Sequence, residues 1–261
     1  MKRLIIALSA LIGLTGTALA ADMAPVVTKA PVLAPVTTYN WTGFYSATGL
    51  GVAWWDINGV FVLFPNDNHN TTASRFNLAS MFGAQYQWGN VVLGVEGAFN
   101  KLYGNDFGTS LSISNDCVGF TGPADRTCSS RVNNIWTVGG RLGYAWDRFM
   151  VFGTGGYANG HVYAQFLTTS TGVVSSQSDA RHDGWYAGGG FEYFVTKFWM
   201  SDVILGAEYQ HIDLDSVRHF RVGGTAGVVD NATRDFRATE DIVRARIVFK
   251  WTPAGTVVAK Y

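Results

Sequence analysis

The chain has 261 residues, with 19 Lys+Arg balanced by 19 Asp+Glu, 14% aromatic residues and 31 glycines. Charged residues make up 15%, against roughly 25% in soluble domains, and no basic excess exists to attract nucleic acid. After residue 20 no apolar run reaches the roughly 18 residues of a transmembrane helix, so an exported chain of this composition is either soluble or spans a membrane with strands.

Residues 1–20 read as a cleaved export signal. Lys2 and Arg3 precede a short apolar run from Leu4 to Leu14, and Ala18-Leu19-Ala20 fits the small-x-small cleavage rule. The signal removes two bases and no acids, so the mature chain carries a charge of about −2. Residues 21–40, with Pro25, Pro31 and Pro35, read as a flexible periplasmic tether. Residues 41–261 read as one barrel domain.

From Trp41 onward the pattern has a period of two and predicts eight strands, at about 41–53, 74–87, 91–103, 133–146, 149–163, 183–195, 203–213 and 240–251. In the second, Phe76, Leu78, Phe82 and Tyr86 alternate with Arg75, Asn77, Gly83 and Gln85; in the eighth, Val243, Ala245, Ile247, Phe249 and Trp251 oppose Arg244, Arg246 and Val248. The fifth strand is less clean, and its inward face stays open. Short turns fall at 88–90, 147–148 and 197–202, and long polar stretches at 54–73, 104–132, 164–182 and 214–239. Segregation of short turns to one end and long loops to the other is the mark of an outer-membrane barrel. The expected fold is therefore all-β: an eight-stranded antiparallel up-and-down transmembrane barrel with four long outer loops and three short periplasmic turns.

Six charges support this reading. Glu96, Arg141, Glu192, Glu208, Arg244 and Arg246 each sit in mid-strand on the face opposite the apolar residues. Five of them lie five or six residues from a periplasmic strand end, which at about 3.3 Å per residue and a tilt near 40° is about 15 Å up the wall. The expectation is lipid outside and a charged, polar plug inside, its ions paired across a lumen just wide enough for side chains.

Cys117 and Cys128 lie eleven apart in one polar stretch. In an exported chain they are expected to form a disulfide that stabilises its loop by about 3 kcal/mol; the alternative is a pair of free or metal-binding thiols. His69, His182 and His219 fall in three long loops, with His161 nearby. At the outer end they are placed to ligate haem iron or a metal, or to stand solvated. His211 reads as a packing or interface residue. Trp41, Trp88, Trp136, Trp146, Trp185, Trp199 and Trp251 cluster at strand ends, as membrane-interface belts do. Arg126, Arg131, Arg181, Arg218, Arg221, Arg234 and Arg237 lie in or beside the outer loops, where they hold lipopolysaccharide phosphates or simply meet water.

Tyr39-Asn40-Trp41-Thr42-Gly43-Phe44-Tyr45 after a Pro/Ala-rich start, Leu205-Gly206-Ala207-Glu208-Tyr209-Gln210, and the ending Val257-Val258-Ala259-Lys260-Tyr261 resemble the small porin-like outer-membrane proteins of α-proteobacteria, a group of major surface and hemin-binding proteins. The resemblance implies an eight-stranded barrel in the outer membrane that supports envelope integrity and surface interaction. Its expected partners are membrane lipids, lipopolysaccharide, the barrel assembly machinery and an extracellular ligand; hemin is the one cofactor it suggests. A small solute channel and a surface receptor or adhesin are the alternatives, and no catalytic set stands out. Many such barrels end on an aromatic residue; here the last strand either stops at Trp251 or resumes to Tyr261.

Overall fold

The structure is a computed structural model and describes residues 38–63, 68–103, 126–168, 170–219 and 233–252. The expected signal and most of the expected tether lie outside these residues. Eight strands run in chain order: β1 Gly43–Phe61, β2 Asn68–Trp88, β3 Val91–Tyr103, β4 Arg126–Trp146, β5 Phe149–Thr168, β6 Val174–Phe198, β7 Ser201–His219 and β8 Arg234–Trp251. Each pairs antiparallel with the next, and β1 pairs with β8 from Phe44↔Trp251 to Phe61↔Arg234, which closes the barrel. The three short turns are centred on Gly89-Asn90, Asp147-Arg148 and Trp199-Met200. Each begins with a left-handed residue, Gly89 (φ 61°), Asp147 (φ 51°) and Trp199 (φ 56°), so that two residues suffice to reverse the chain.

The outward face is apolar and in contact with the surroundings: Phe44 is 62% exposed, Phe82 68% and Val95 61%, whereas Tyr45 is 3% exposed. From Phe44 to Trp54 the outward positions of β1 cover ten residue steps, which at about 3.3 Å per residue and a tilt near 40° gives a band of about 25 Å, the apolar height of an outer-membrane barrel. Trp54, Phe76, Tyr103, Trp136, Tyr157, Trp185 and Tyr209 end this band on the outer side, and Tyr86, Trp88, Trp146, Tyr193, Trp199 and Trp251 end it on the periplasmic side.

The strands do not stop at the outer belt. Above Trp54 the outward residues of β1 are Asp56 and Asn58, while Trp55, Ile57 and Phe61 point inward and are buried. In β8 the outward sequence changes from Val243 to Asp241, Thr239, Arg237 and Asp235, with Ile242, Ala238 and Phe236 inward. This corrects the expected strand ends and the bounds of the four outer loops, two of which become short. The connection after β1 covers 62–67, that after β5 only 169–173, that after β7 220–233, and that after β3 104–125. The reason is a change of solvent. Once a strand leaves the bilayer its outer face meets water, so the sense of the alternation inverts and the stretch no longer reads as a lipid-facing strand.

Above the belt the wall also divides. Backbone pairing of β3 with β4 ends at Lys101↔Asn134, and that of β6 with β7 ends at Gly184↔Leu214. Beyond those points β7-β8-β1-β2 and β4-β5-β6 continue as two sheets that close over a shared apolar core including Trp55, Ile57, Val132, Val162, Ile212 and Phe236. A second apolar cluster, with Trp41, Met81, Met150, Phe152, Phe194 and Ile204, fills the periplasmic half. The interior is thus not the uniformly polar plug expected from the charges: an ionic layer lies between two apolar cores. Strand β5 turns Met150, Phe152, Ala158 and Val162 inward, and its ambiguity arose because Phe149 and Val151, on the lipid side, are just as apolar.

Candidate functional site

The structure brings all six mid-strand charges into one cluster, in which no side chain is more than 5% exposed. Arg246 is its centre. Its guanidinium grips Glu96 with two hydrogen bonds, Nη2 to Oε2 at 2.6 Å and Nη1 to Oε1 at 3.2 Å. Nη1 also donates to Glu208 Oε2 at 2.6 Å, and Nε lies 3.3 Å from Glu192 Oε1. Arg141 Nη2 sits 2.7 Å from Glu192 Oε2, and Arg244 donates from Nε to Glu208 at 3.1 Å and from Nη1 to Asn100 at 2.7 Å. Three guanidinium groups and three carboxylates therefore cancel, as burial requires.

Neutral side chains complete the layer. Tyr45 donates its hydroxyl proton to Glu96 at 2.8 Å and accepts from Arg141 at 3.2 Å. The Phe152 ring carries the Arg141 guanidinium 3.8 Å above its centroid, a cation–π contact in a dry setting. Inward glycines leave room for the long chains: a Cβ at Gly49 would come 2.8 Å from Arg244 Cδ, and one at Gly206 2.8 Å from Glu192 Cγ. The 31 glycines that composition reported are thus partly the complement of a crowded ionic centre.

The periplasmic mouth is filled by residues the sequence reading placed elsewhere. Trp41, expected in the interface belt, is fully buried; its indole N–H donates to the Asp147 carbonyl at 3.0 Å and its ring meets Tyr39 edge-on at 5.0 Å. Tyr39 stacks on Phe194 at 4.2 Å and donates to Asp202 at 2.8 Å. Lys250 donates to the Asn40 carbonyl at 2.6 Å and pairs with Asp202 at 3.2 Å. Tyr39 and Asn40, assigned to the tether, are thus part of the barrel's packed base. The segment crosses the lumen because its polar backbone finds Gln85, Gln87 and Lys250 there. Lys250 shares the inward parity of Arg244 and Arg246, a signal that was available; the folding of Trp41 into the mouth had none.

The histidines are not a loop cluster. His182 lies in β6 and His219 in β7, both buried, with their Nε2 atoms 2.9 Å apart. His182 Nδ1 lies 2.9 Å from the Asp215 carbonyl oxygen. A carbonyl can only accept, so Nδ1 carries the proton in neutral His182 and its Nε2 accepts from His219. Burial pushes the His182 pKa below its ordinary value, against the Asp215 carbonyl, which raises it. The pair joins β6 to β7 just above the point where their backbone pairing ends. His161 faces outward from β5 and bonds Asp179 at 3.0 Å. His69 lies in β2, with its side chain outside the described residues. The expectation of exposed loop ligands is thereby corrected for the three described histidines: two face each other in a dry interior, and the third is paired with a carboxylate. His211 faces outward between Asp241 (2.7 Å) and the Trp185 ring (5.7 Å).

The outer arginines divide similarly. Arg237 forms a two-pronged pair with Asp213 at 3.1 and 2.6 Å, Arg218 one with Asp235 at 2.9 and 3.1 Å, and Arg181 donates to Asn159 at 3.1 Å. Arg234 is buried over the Phe61 ring, and Arg131 lies over Tyr163. Arg221 and the side chain of Arg126 lie outside the described residues, as do Cys117 and the Cys128 side chain, so the disulfide expectation falls there too. Strand β8 ends at Trp251, and the tail from 253 lies outside the described residues.

Comparison with known proteins places this architecture. Residues 8–238 match the outer membrane protein beta-barrel domain. The 31 kDa outer-membrane immunogenic proteins of Brucella melitensis biotype 1 and Brucella suis biovar 1 are each 36% identical over 226 residues, 82% of this chain and 88% of theirs. Among solved structures, Neisserial surface protein A (15% identity, TM-score 0.35, 80% of this chain and 98% of that one) and the attachment invasion locus protein Ail of Yersinia pestis (14%, 0.37, 80% and 99%) share a general likeness. The Escherichia coli outer membrane protease OmpT does so at 10% identity and a TM-score of 0.43 over 83% of this chain and 99% of that one. Closed strands, a lipid-facing apolar band and this kinship together make the chain a member of the outer membrane protein beta-barrel family, resident in the cell outer membrane.

Proposed function

We propose that this protein is a closed, non-catalytic barrel that anchors a surface-facing structure in the outer membrane, supporting envelope integrity and contact with the cell's surroundings. The observation that carries the reading is the filled lumen: Trp41 and its neighbours at the base, the six-charge layer above, and the apolar core of the outer half. An ion crossing it would have to displace a salt-bridged guanidinium from carboxylates in a dry site, which costs several kcal/mol per group. The same neutralisation withdraws Glu96, Glu192 and Glu208 from acid–base chemistry, because each carboxylate is ion-paired with one or more of Arg141, Arg244 and Arg246. The outer sheets, raised above the aromatic belt, form the part presented outward. The name of the Brucella relatives as outer-membrane immunogenic proteins supports such exposure.

Reconstitution into planar bilayers tests the reading. The expected result is no steady unitary conductance for the folded protein in salt. A reproducible open channel in wild-type protein refutes it.

A further inference from the structure

A groove of about 410 Å³ crosses the outward face of β8, β1 and β2 just above the outer aromatic belt. Trp54 forms its membrane-side end, half exposed. Asp56 and Asp241 flank it, and Thr72, Ser74 and Thr239 supply hydroxyls. The register explains the assembly: Trp54 is opposite Ser74 and Asp241, and Asp56 is opposite Thr72 and Thr239, so two rungs of the ladder across three strands deliver every group.

Most of the polar groups here are uncommitted, Asp241 in part. Asp241 accepts from Tyr209 at 2.6 Å and from His211 at 2.7 Å, but both bonds fall on Oδ1, which leaves Oδ2 for a ligand. Among the described residues, the side chains of Asp56, Thr72, Ser74 and Thr239 make no hydrogen bond, and no cation lines the groove. Further out, between β7 and β8, the comparable outward charges are used up in Arg237–Asp213 and Arg218–Asp235 pairs. The chemistry therefore disfavours a phosphate and fits a neutral, hydroxyl-rich ligand with an apolar face.

The geometry points to a sugar-binding groove in which a pyranose ring of the outer leaflet's own glycolipid lies on the Trp54 indole and donates hydroxyl protons to Asp56 and Asp241. The ring's C–H face matches an aromatic platform, and hydroxyl-to-carboxylate bonds are the strong, charge-assisted kind. The source is the glycolipid rather than a free glycan because Trp54 is the last lipid-level residue of β1 and Asp56 the first outward residue above it. A ligand in the groove stands at the height where acyl chains give way to sugars. The inference rests on the outer-membrane placement and is independent of whether the lumen conducts.

Isothermal titration of the folded barrel in detergent, freed of lipopolysaccharide, tests it. The probes are lipopolysaccharide, its delipidated core oligosaccharide, lipid A and dextran, each with and without EDTA. The core oligosaccharide is expected to bind with EDTA present, and Asp56→Asn to weaken it roughly 10- to 100-fold, the worth of a hydrogen bond to a charged group. Trp54→Phe should retain binding and Trp54→Ala lose it. Thr72→Val, an outward change that leaves folding intact, should weaken binding modestly. Binding of lipid A alone, binding of dextran as tight as that of the core oligosaccharide, dependence on a divalent cation, or an Asp56→Asn protein that binds like wild type each overturns the proposal. Single-channel conductance, read separately, decides the closed-barrel function on its own.

Discussion

Arg246→Leu is the sharpest perturbation of the ionic layer. It removes the one guanidinium that touches all three carboxylates, Glu96, Glu208 and Glu192, at 2.6, 2.6 and 3.3 Å. Arg141 and Arg244 remain, so three buried carboxylates face two cations, and one negative charge is left uncompensated among side chains no more than 5% exposed. Breaking a buried pair by removing one partner costs about 3–5 kcal/mol, which lowers the folding equilibrium constant by roughly two to four orders of magnitude. Arg246→Lys keeps the charge but not the two-pronged grip on Glu96, and should lose less. The second carboxylate substitution is diagnostic: Arg246→Leu/Glu208→Gln restores neutrality and should recover much of the loss. Urea unfolding in detergent, followed by heat-modifiable gel mobility, measures all three. A single mutant that unfolds at the wild-type midpoint, or a double mutant no more stable than the single, refutes the claim that charge balance holds this centre together.

The base and the outer half yield further expectations. Trp41→Ala empties a fully buried site and should cost about 3–5 kcal/mol, yet leave the bilayer conductance at zero, because the ionic layer above remains; urea unfolding and conductance check the two halves separately. Gly83→Ala places a methyl group against the Tyr45 ring, and should cost about 1–3 kcal/mol by forcing Tyr45 away from Glu96, read as a lower unfolding midpoint. His182 lies above the outer belt and its pKa is depressed by burial, so the unfolded chain binds the extra proton first. Its contribution is fully present above the unfolded value of about 6.5 and lost as pH falls through the lower folded value. Hydrogen-exchange protection factors of β6 residues 174–183, corrected for the intrinsic rate, should fall on that acid limb, and His182→Phe should flatten the dependence.

Much of the barrel was legible because the bilayer writes a strict code. Within the apolar band, parity alone separated Phe82 and Val95 from Gly83 and Glu96, and counting from the short turns put the charges at one depth. Two things escaped. Above Trp54 the outer face meets water and the inner face packs dry, so Asp56, Ile57 and Asn58 read as loop. Apolar residues on both sides, as at Phe149–Phe152, carry no parity signal at all.

The sequence alone determined that strands alternate, that six charges share one face, and that the ends of the chain's hairpins differ in length. These are local or periodic properties, and a period of two is set by backbone geometry. Only the closed ring decided which charges meet: Glu96 and Arg246, 150 positions apart, join across the lumen. It also decided that Trp41 turns into the mouth instead of toward lipid, that His182 finds His219, and that Trp54, Asp56 and Asp241 line one groove. Each of these is fixed by register between strands and by the space left inside a barrel of eight, and neither quantity is written in any single segment.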